Sequence, residues 1–508
     1  MKTRAVAVIG GGPAGLYAAR LIKLADPAAE VVVHERIGID TETFGFGVGL
    51  TESTMANLSA ADPETADRIR AVSYAGHNLE LRSPHTHTTA LLHGARNLAI
   101  GRAELLSVLC EAAVAAGVDY RPGSKVDLAD VDAEVVVAAD GVRSAVRAKL
   151  STELGVHESL GRGRYMWCGV DFAVDAAFFT ARIHPGGGFF VAHAYPYRPD
   201  RSTFLIEADD TTWHDAGLHR HDTATEPGNS DTGSIALLQE AFAEDLRGRP
   251  LLTNRTRWAR FTTLTLQRWS AGNVVLIGDA AHTAHYTLGS GTKLALEDAI
   301  ALSQALTESP DTATAFARYE QRRRPAVERF KHLAGRSQRW WESYRVRVDA
   351  PTELLALSYM TRSGNLAIAD YARDQPDVVA AALNPLGDAP PRDLDAIDDW
   401  VLTRPARVTT PAELDAAEVP PVRMVWSHPD VWDETADDAI ASLRTGDAAV
   451  VHLTGEPDPV AIGARLDFAE RIRIELRRTV IVTLPAEARP QAAAAIAAGR
   501  CDAVAFGT

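Results

Sequence analysis

The sequence predicts an α/β protein in which a parallel sheet is interrupted by a β-rich layer and followed by a small α/β unit. Three observations carry that expectation. A glycine-rich turn joins the first strand to the first helix, strand patterns separated by turns fill residues 161–264, and strands alternate with helices again after residue 398.

At the N-terminus Ala5-Val-Ala-Val-Ile9 is an apolar strand, Gly10-Gly-Gly-Pro-Ala-Gly15 a turn, Leu16 to Ala25 a helix and Glu30-Val-Val-Val-His34 a second strand. Gly10-x-Gly12-x-x-Gly15 is weak alone. Between a strand and a helix, with Glu35 ending the second strand, it becomes a Rossmann-type dinucleotide fingerprint. Gly10 permits the tight turn, Gly12 lets backbone approach a pyrophosphate, and Gly15 allows close helix-to-strand packing. Pro13 and Ala14 open the helix whose N-terminus offers unpaired N–H groups, and Glu35, followed by Arg36, reaches toward a ribose.

A helix over Arg102 to Ala116 leads through Gly117 to another parallel strand, Glu134-Val-Val-Val-Ala-Ala139, ending in Asp140-Gly141. Four strand patterns follow: Met166 to Val174, Phe178 to Ile183, Phe189 to Tyr195 and Thr203 to Ala208. Asp209 to Gly233 reads as a polar loop. The parallel-sheet signature returns in Asn273-Val-Val-Leu-Ile277, followed by a helix around Lys293 to Leu306 and more helix from Tyr319 to Tyr344. Leu383 to Asp395, rich in Pro and Asp, reads as a linker. Beyond it, strands at Val422–Trp426, Ala449–Leu453, Val480–Leu484 and Ala503–Phe506 alternate with helices at Ala436–Leu443, Asp467–Leu476 and Gln491–Ala498. The expected domains are 1–160 with 265–380 for a discontinuous dinucleotide-binding domain, 161–264 for a β-rich substrate domain, 381–397 for a linker and 398–508 for a half-barrel-like α/β unit.

A chain of 508 residues exceeds what one core supports, about 250–300 residues, so several domains are expected. The net charge of −15 repels phosphate at long range, which disfavours nucleic-acid and membrane partners and favours a small-molecule substrate. No apolar run approaches the roughly 18 residues that span a bilayer, so a cytoplasmic location is expected. Cys110, Cys168 and Cys501 lack metal or disulfide spacing. The groups His85, His87, His93 and His214, His219, His221 also lack ligand spacing and read as surface histidines. Arg322-Arg-Arg324 before Pro325 reads as a solvated helix end, and Trp340-Trp341 as core or interface.

NAD and FAD share the first motif, and a second segment separates them. Ile277-Gly-Asp-Ala-Ala-His282 places the Asp279 carboxylate at a strand end, where it can bond the ribityl hydroxyls of an extended FAD. Gly289, Ser290 and Gly291 let backbone approach a flat ring and open a helix whose positive end faces that ring's pyrimidine edge.

Gly10 to Gly15, Asp140-Gly-Val-Arg-Ser144 with Arg147, and Gly278 to His282 resemble the three cofactor signatures of class A flavoprotein aromatic hydroxylases. Phe44-Gly-Phe-Gly-Val48, Thr283 to Lys293, Ser337-Gln-Arg-Trp-Trp341 and Met360-Thr-Arg-Ser363 resemble the salicylyl-CoA 5-hydroxylase and anthraniloyl-CoA monooxygenase branch. The resemblance spans about residues 1–375. It implies a Rossmann-type FAD-binding domain with Glu35 as ribose ligand, Arg102 as an FAD contact and Asp279 as ribityl ligand. Asp140 becomes a structural link between the FAD and NAD(P)H regions. Tyr286 stands where many members carry a proline, and Lys293 replaces a common Asn.

The implied reaction is hydroxylation of an electron-rich aromatic ring, in bacterial secondary metabolism or aromatic degradation. NAD(P)H reduces the FAD, O₂ forms a C4a-hydroperoxide, and its distal oxygen passes to a phenol, pyridinol, indole or anthranilate-like ring, or to an aryl-CoA. No clear Lys/Arg cluster awaits CoA phosphates, which leans toward a free ring. The same cofactor motifs would serve a flavin-dependent halogenase, a dehydrogenase or a non-catalytic FAD-binding partner protein, although a halogenase typically has a Trp-x-Trp-x-Ile-Pro segment, absent here. Alternation along Phe189-Phe-Val-Ala-His-Ala-Tyr195 puts His193 and Tyr195 on one face, where either could bond a substrate hydroxyl or serve as an ordinary sheet residue. His285 and Tyr286 have the better claim, because the motif fixes them beside the flavin.

Arg465 to Arg473 and Ala497 to Ala505 resemble the last strands of Old Yellow Enzyme barrels. Roughly 110 residues are less than half of the about 250 in a full barrel, so this unit is expected to carry no flavin chemistry. A thioredoxin-like tail is the second fold open to it. Open strand edges point to packing on another domain or subunit, hence to a homo-oligomer.

Overall fold

The computed structural model describes residues 4–38, 46–86, 88–289, 291–387, 389–410, 413–414, 420–447 and 449–507, without the side chains of 95–97. The chain forms two compact units, residues 1–79 with 95–338, and 80–94 with 339–508.

The first unit holds a six-stranded sheet in the order 270–271, 274–276, 135–138, 5–9, 30–35 and 119–122, parallel except for the short edge hairpin. Its central strands are valine runs because they are buried on both faces, as at Val135–Ala138 and Val274–Leu276. The helices Pro13–Ala25, Arg102–Ala115 and Gly291–Glu308 share their core.

An eight-stranded sheet runs in the order 259–266, 156–170, 201–208, 189–198, 177–183, 74–82, 89–101 and 47–50. The β-rich layer therefore draws strands from well before residue 161. Antiparallel register sets Glu207 opposite Tyr165 and Val191, and His193 opposite Leu205 and Phe179. Side chains alternate across such a sheet. Met166, Cys168, Phe190, Phe204 and Ile206 therefore enter an apolar cluster with Trp213, Leu238 and Phe242, while Tyr165, Trp167, His193 and Glu207 share the other face.

The polar stretch 209–233 is no simple loop: it contains the helices Asp210–Asp215 and Leu218–Ala224. Asp209 caps the first by accepting from Thr212 N at 2.6 Å, and Trp213 and Leu218 are buried beneath them. Nor do Arg322–Arg324 end a helix. One helix runs from Thr312 to Glu342 through Pro325, and Arg323 turns inward because the buried Asp298 carboxylate needs a cation.

The second unit contains a parallel sheet in the order 408–409, 503–506, 479–484, 450–454 and 422–425. Its helices Glu434–Thr445, Pro459–Leu476 and Arg489–Ala497 join a core that also includes Leu357, Ile368, Tyr371 and Val379. The helices between 352 and 383, assigned from sequence to the dinucleotide-binding domain, thus group with the C-terminal sheet. Leu383 and Ile397, at the ends of the proline-rich stretch, are buried in the same core. Trp340 and Trp341 are buried and meet edge to face. Among the described residues no helix is long and apolar enough to cross a membrane.

Candidate active site

The first strand ends in a turn that only glycine can make at two points. Gly10 has φ +112°, and a Cβ there would strike the Ala139 carbonyl; a Cβ on Gly15 would strike the Gly10 carbonyl oxygen. Gly12 is different. Its φ of −77° suits any residue, and a Cβ there would meet nothing within 4 Å. No protein contact among the described residues fills the Cβ direction of Gly12, so the turn leaves open space on that side. Pro13 and Ala14 begin the helix. Glu35 ends the neighbouring strand, with Oε2 accepting from Gly11 N at 2.6 Å and Oε1 from Ile37 N at 2.8 Å. Each oxygen keeps a lone pair for a hydroxyl donor. Arg36 is exposed beside it.

Two further strand ends are stitched to this turn. Asp140 accepts from Ala145 N and Val146 N at 2.8 and 3.2 Å, while its Oδ1 is buried without a partner. Ser144 caps the short helix by accepting from Arg147 N, and the buried Arg147 guanidinium donates to Ala280 O at 3.1 Å and to Val142 O. Arg147 thereby ties the Asp140 loop to the Gly278–Ala280 turn. Behind that turn, Asp298 accepts from Gly278 N (2.9 Å), His282 Nε2 (2.8 Å) and Arg323 Nε (2.8 Å). His282 and Arg323 hold the Asp298 carboxyl below the usual range against its complete burial.

The Asp298 network aims Asp279 outward. Asp279 is solvent-exposed although protein surrounds it, which describes the floor of a cleft. The surrounding protein raises its carboxyl above the usual range, with Arg102 the main opposing charge. A Cβ on Gly291 would come within 3.9 Å of Asp279 Oδ1, so the carboxylate faces the N-terminus of the helix Gly291–Glu308. Gly289 supplies the left-handed residue, φ +63°, that ends the Tyr286–Leu288 turn before this helix. Ser290 lies outside the described residues.

That turn meets the polar face of the large sheet. Tyr286 donates to Glu207 Oε1 at 2.7 Å, and His193 Nε2 lies 3.4 Å from the same oxygen. Tyr165, Trp167 and Phe261 surround the Tyr286 ring at centroid distances of 5.0, 6.3 and 5.9 Å. His285 is buried against Phe261 and Tyr286, with Nδ1 3.1 Å from Thr287 Oγ1. Burial, and then His193, pushes its imidazole well below the ordinary range, so it is neutral.

Three of the four catalytic candidates therefore meet: His193, His285 and Tyr286. Tyr195 does not join them; its hydroxyl donates to Gly47 O at 2.7 Å. Glu207, Tyr165, Trp167 and Phe261 were missed. Glu207 had a signal, because a charge at an in-facing position of Thr203-Phe-Leu-Ile-Glu-Ala208 breaks the pattern of a buried strand. The histidine groups form no metal site among the described residues, and His87 lies outside them.

Comparison with known proteins bears on this cleft. The FAD binding domain family model matches residues 3–130 and 123–334. The chain is 40% identical over 383 residues to salicyloyl-CoA 5-hydroxylase of a Streptomyces species, covering 72% of each. It is 40% identical over 370 residues to 3-hydroxy-4-methyl-anthranilyl-(aryl-carrier protein) 5-monooxygenase of Streptosporangium sibiricum, covering 73% of this chain and 97% of that one. A crystal structure of a 2-methyl-3-hydroxypyridine-5-carboxylic acid oxygenase variant has the same fold, with a TM-score of 0.56 at 22% identity over 73% of this chain and 98% of its own.

Proposed function

We propose that this chain, which belongs to the FAD-dependent aromatic monooxygenase family, hydroxylates an aryl thioester at the ring carbon para to a hydroxyl or amino group. FAD is its cofactor and NAD(P)H its co-substrate, with O₂ and an aromatic ring as the reactants. Both 40%-identical relatives act at ring position 5, which is para to the 2-hydroxyl of a salicyloyl group and the 2-amino of an anthranilyl group. Both carry their ring on CoA or a carrier protein, which favours a thioester over the free ring.

The residues fit FAD. The empty space at Gly12 accommodates a pyrophosphate, the Glu35 carboxylate a ribose, and the exposed Asp279 a ribityl chain. Gly10, Pro13, Ala14 and Gly15 shape the turn, Arg36 is exposed beside Glu35, Arg102 acts on Asp279, and Gly289 and Gly291 stand at a helix end suited to an electron-rich ring. Asp140 braces the loop between them. When bound and reduced by NAD(P)H, the flavin supplies the activated oxygen. The chain's task is to hold the ring close and keep water away.

The observation that carries this reading is the Tyr286–Glu207–His193 group, a polar cluster on an aromatic face beside the Asp279 strand end. Purified protein should be yellow and oxidise NAD(P)H faster with salicyloyl-CoA or anthraniloyl-CoA. A colourless protein that cannot be reconstituted with FAD would overturn the cofactor assignment, and an absence of stimulation by either thioester the substrate class. The remainder of the proposal is a cytoplasmic homo-oligomer whose C-terminal unit is a barrel remnant without flavin. Consecutive parallel strands from Val422 to Phe506 support that last point, and more than one flavin per chain, or FMN beside FAD, would refute it.

A further inference from the structure

Glu207 occupies a strand whose neighbouring side chains, Ile206 and Ala208, enter the apolar cluster on the opposite face. Its own side chain is 12% exposed. Taking a carboxylate out of water among aromatic rings is costly unless hydrogen bonds compensate, and a neutral side chain would fill the position at lower cost. Facing Glu207 are His193 from the strand 189–198, Tyr165 from 156–170 and Tyr286 from the strand-end turn, with His285 packed against the Tyr286 ring. Arg143 and Asp279 act on Tyr165, whose hydroxyl is raised above its usual range chiefly by burial. Arg164 and Arg260 are held instead by Asp210.

We propose that Glu207 is the terminal proton acceptor for a phenolic substrate, reached through the Tyr286 hydroxyl, and that this makes the site selective for hydroxyaryl over aminoaryl rings. The inference rests on the monooxygenase reading above. The substrate O–H bond breaks as its proton moves to Tyr286 Oη, and the Tyr286 O–H bond breaks as its own proton moves to Glu207 Oε1. Two O–H bonds break and two form, nothing is oxidised or reduced, and a phenolate and a neutral carboxyl result. His193 is the positioning residue that keeps Oε1 turned toward Tyr286. The phenolate places electron density on the para carbon, where oxygen is received. An aryl amine, far less acidic, gains only a hydrogen bond.

The test compares wild type, Glu207→Gln and Tyr286→Phe as FAD-loaded enzymes, with salicyloyl-CoA and anthraniloyl-CoA, across pH. Glu207→Gln is expected to retain FAD and KM but to lose about 10²-fold in kcat with salicyloyl-CoA, the usual scale of positioned proton transfer. That loss shrinks toward alkaline pH, where the phenol ionises unaided, and with anthraniloyl-CoA it stays below about threefold. Tyr286→Phe follows the same pattern and provides the answer if the Gln variant fails to fold. Equal losses with both rings, a loss independent of pH, or no loss in a wild type that is active would overturn the relay alone. A wild type inert toward both thioesters removes the substrate reading and the relay with it.

Discussion

Gly12→Ala separates what the fold needs from what the ligand needs. In the protein itself the added methyl meets no atom within 4 Å, and φ −77°, ψ −179° is open to alanine. Alanine ranks below glycine as a helix N-cap, while a less flexible unfolded chain returns about 0.4–1 kcal/mol, so the apoprotein's stability should move by no more than about 0.5 kcal/mol. A pyrophosphate on the turn would be pushed outward. Losing two charge-assisted bonds to backbone N–H groups, at about 1.5–3 kcal/mol each, weakens FAD binding by about 10²- to 10⁴-fold. Gly15→Ala is the control, because its methyl collides with the Gly10 carbonyl and should destabilise the fold by about 1–3 kcal/mol or more. Urea unfolding of the apoproteins and fluorescence titration with FAD read both quantities. A Gly12→Ala protein that binds FAD as tightly as wild type would remove the pyrophosphate from this turn, and one that unfolds as easily as Gly15→Ala would show that the fold itself needs Gly12.

Asp279→Ala should cost about 1.5–3 kcal/mol of FAD binding, roughly ten- to hundredfold in Kd, with an unchanged fold; an unaltered Kd would remove Asp279 from the cofactor site. Asp298→Ala should instead destabilise the protein by about 3–5 kcal/mol, because it strips the buried Arg323 and His282 of their shared carboxylate, and denaturant midpoints near those of wild type would contradict this. Acid adds a signed test. His285 has a lowered folded pKa, so below about pH 6.5 the unfolded chain binds a proton the folded one refuses, and stability falls as pH falls. His34, also lowered, contributes in the same sense, whereas Asp298 stabilises above the unfolded carboxyl range and loses that effect only as pH drops through its lower folded pKa. His285→Gln should therefore flatten unfolding midpoints between pH 5 and 7, and an unchanged slope would place the His285 ring in water.

Much of the backbone framework of the proposed FAD site was legible because it is local. Gly10, Gly15 and Glu35 lie within one strand–turn–helix–strand unit, and Asp279 follows a valine run that only a doubly covered strand tolerates. The Glu207–Tyr286 contact joins residues 79 positions apart, and depends on a register that alternation within one strand does not reveal. Tyr195 shows the same limit: period two put it beside His193, yet its hydroxyl reaches the Gly47 carbonyl. Arg323 was misread because its partner, Asp298, is on another helix. The helices at 210–224 were missed because their polar surface hides two anchors, Trp213 and Leu218.

This chain places oxygen from O₂ on an aromatic ring, and an isotope label follows that atom directly. FAD-loaded enzyme given NAD(P)H and salicyloyl-CoA under ¹⁸O₂ should yield a ring-hydroxylated thioester carrying one ¹⁸O atom, para to the original hydroxyl. Product without the label, or NAD(P)H oxidation that yields only hydrogen peroxide with every hydroxyaryl and aminoaryl thioester tried, would contradict it.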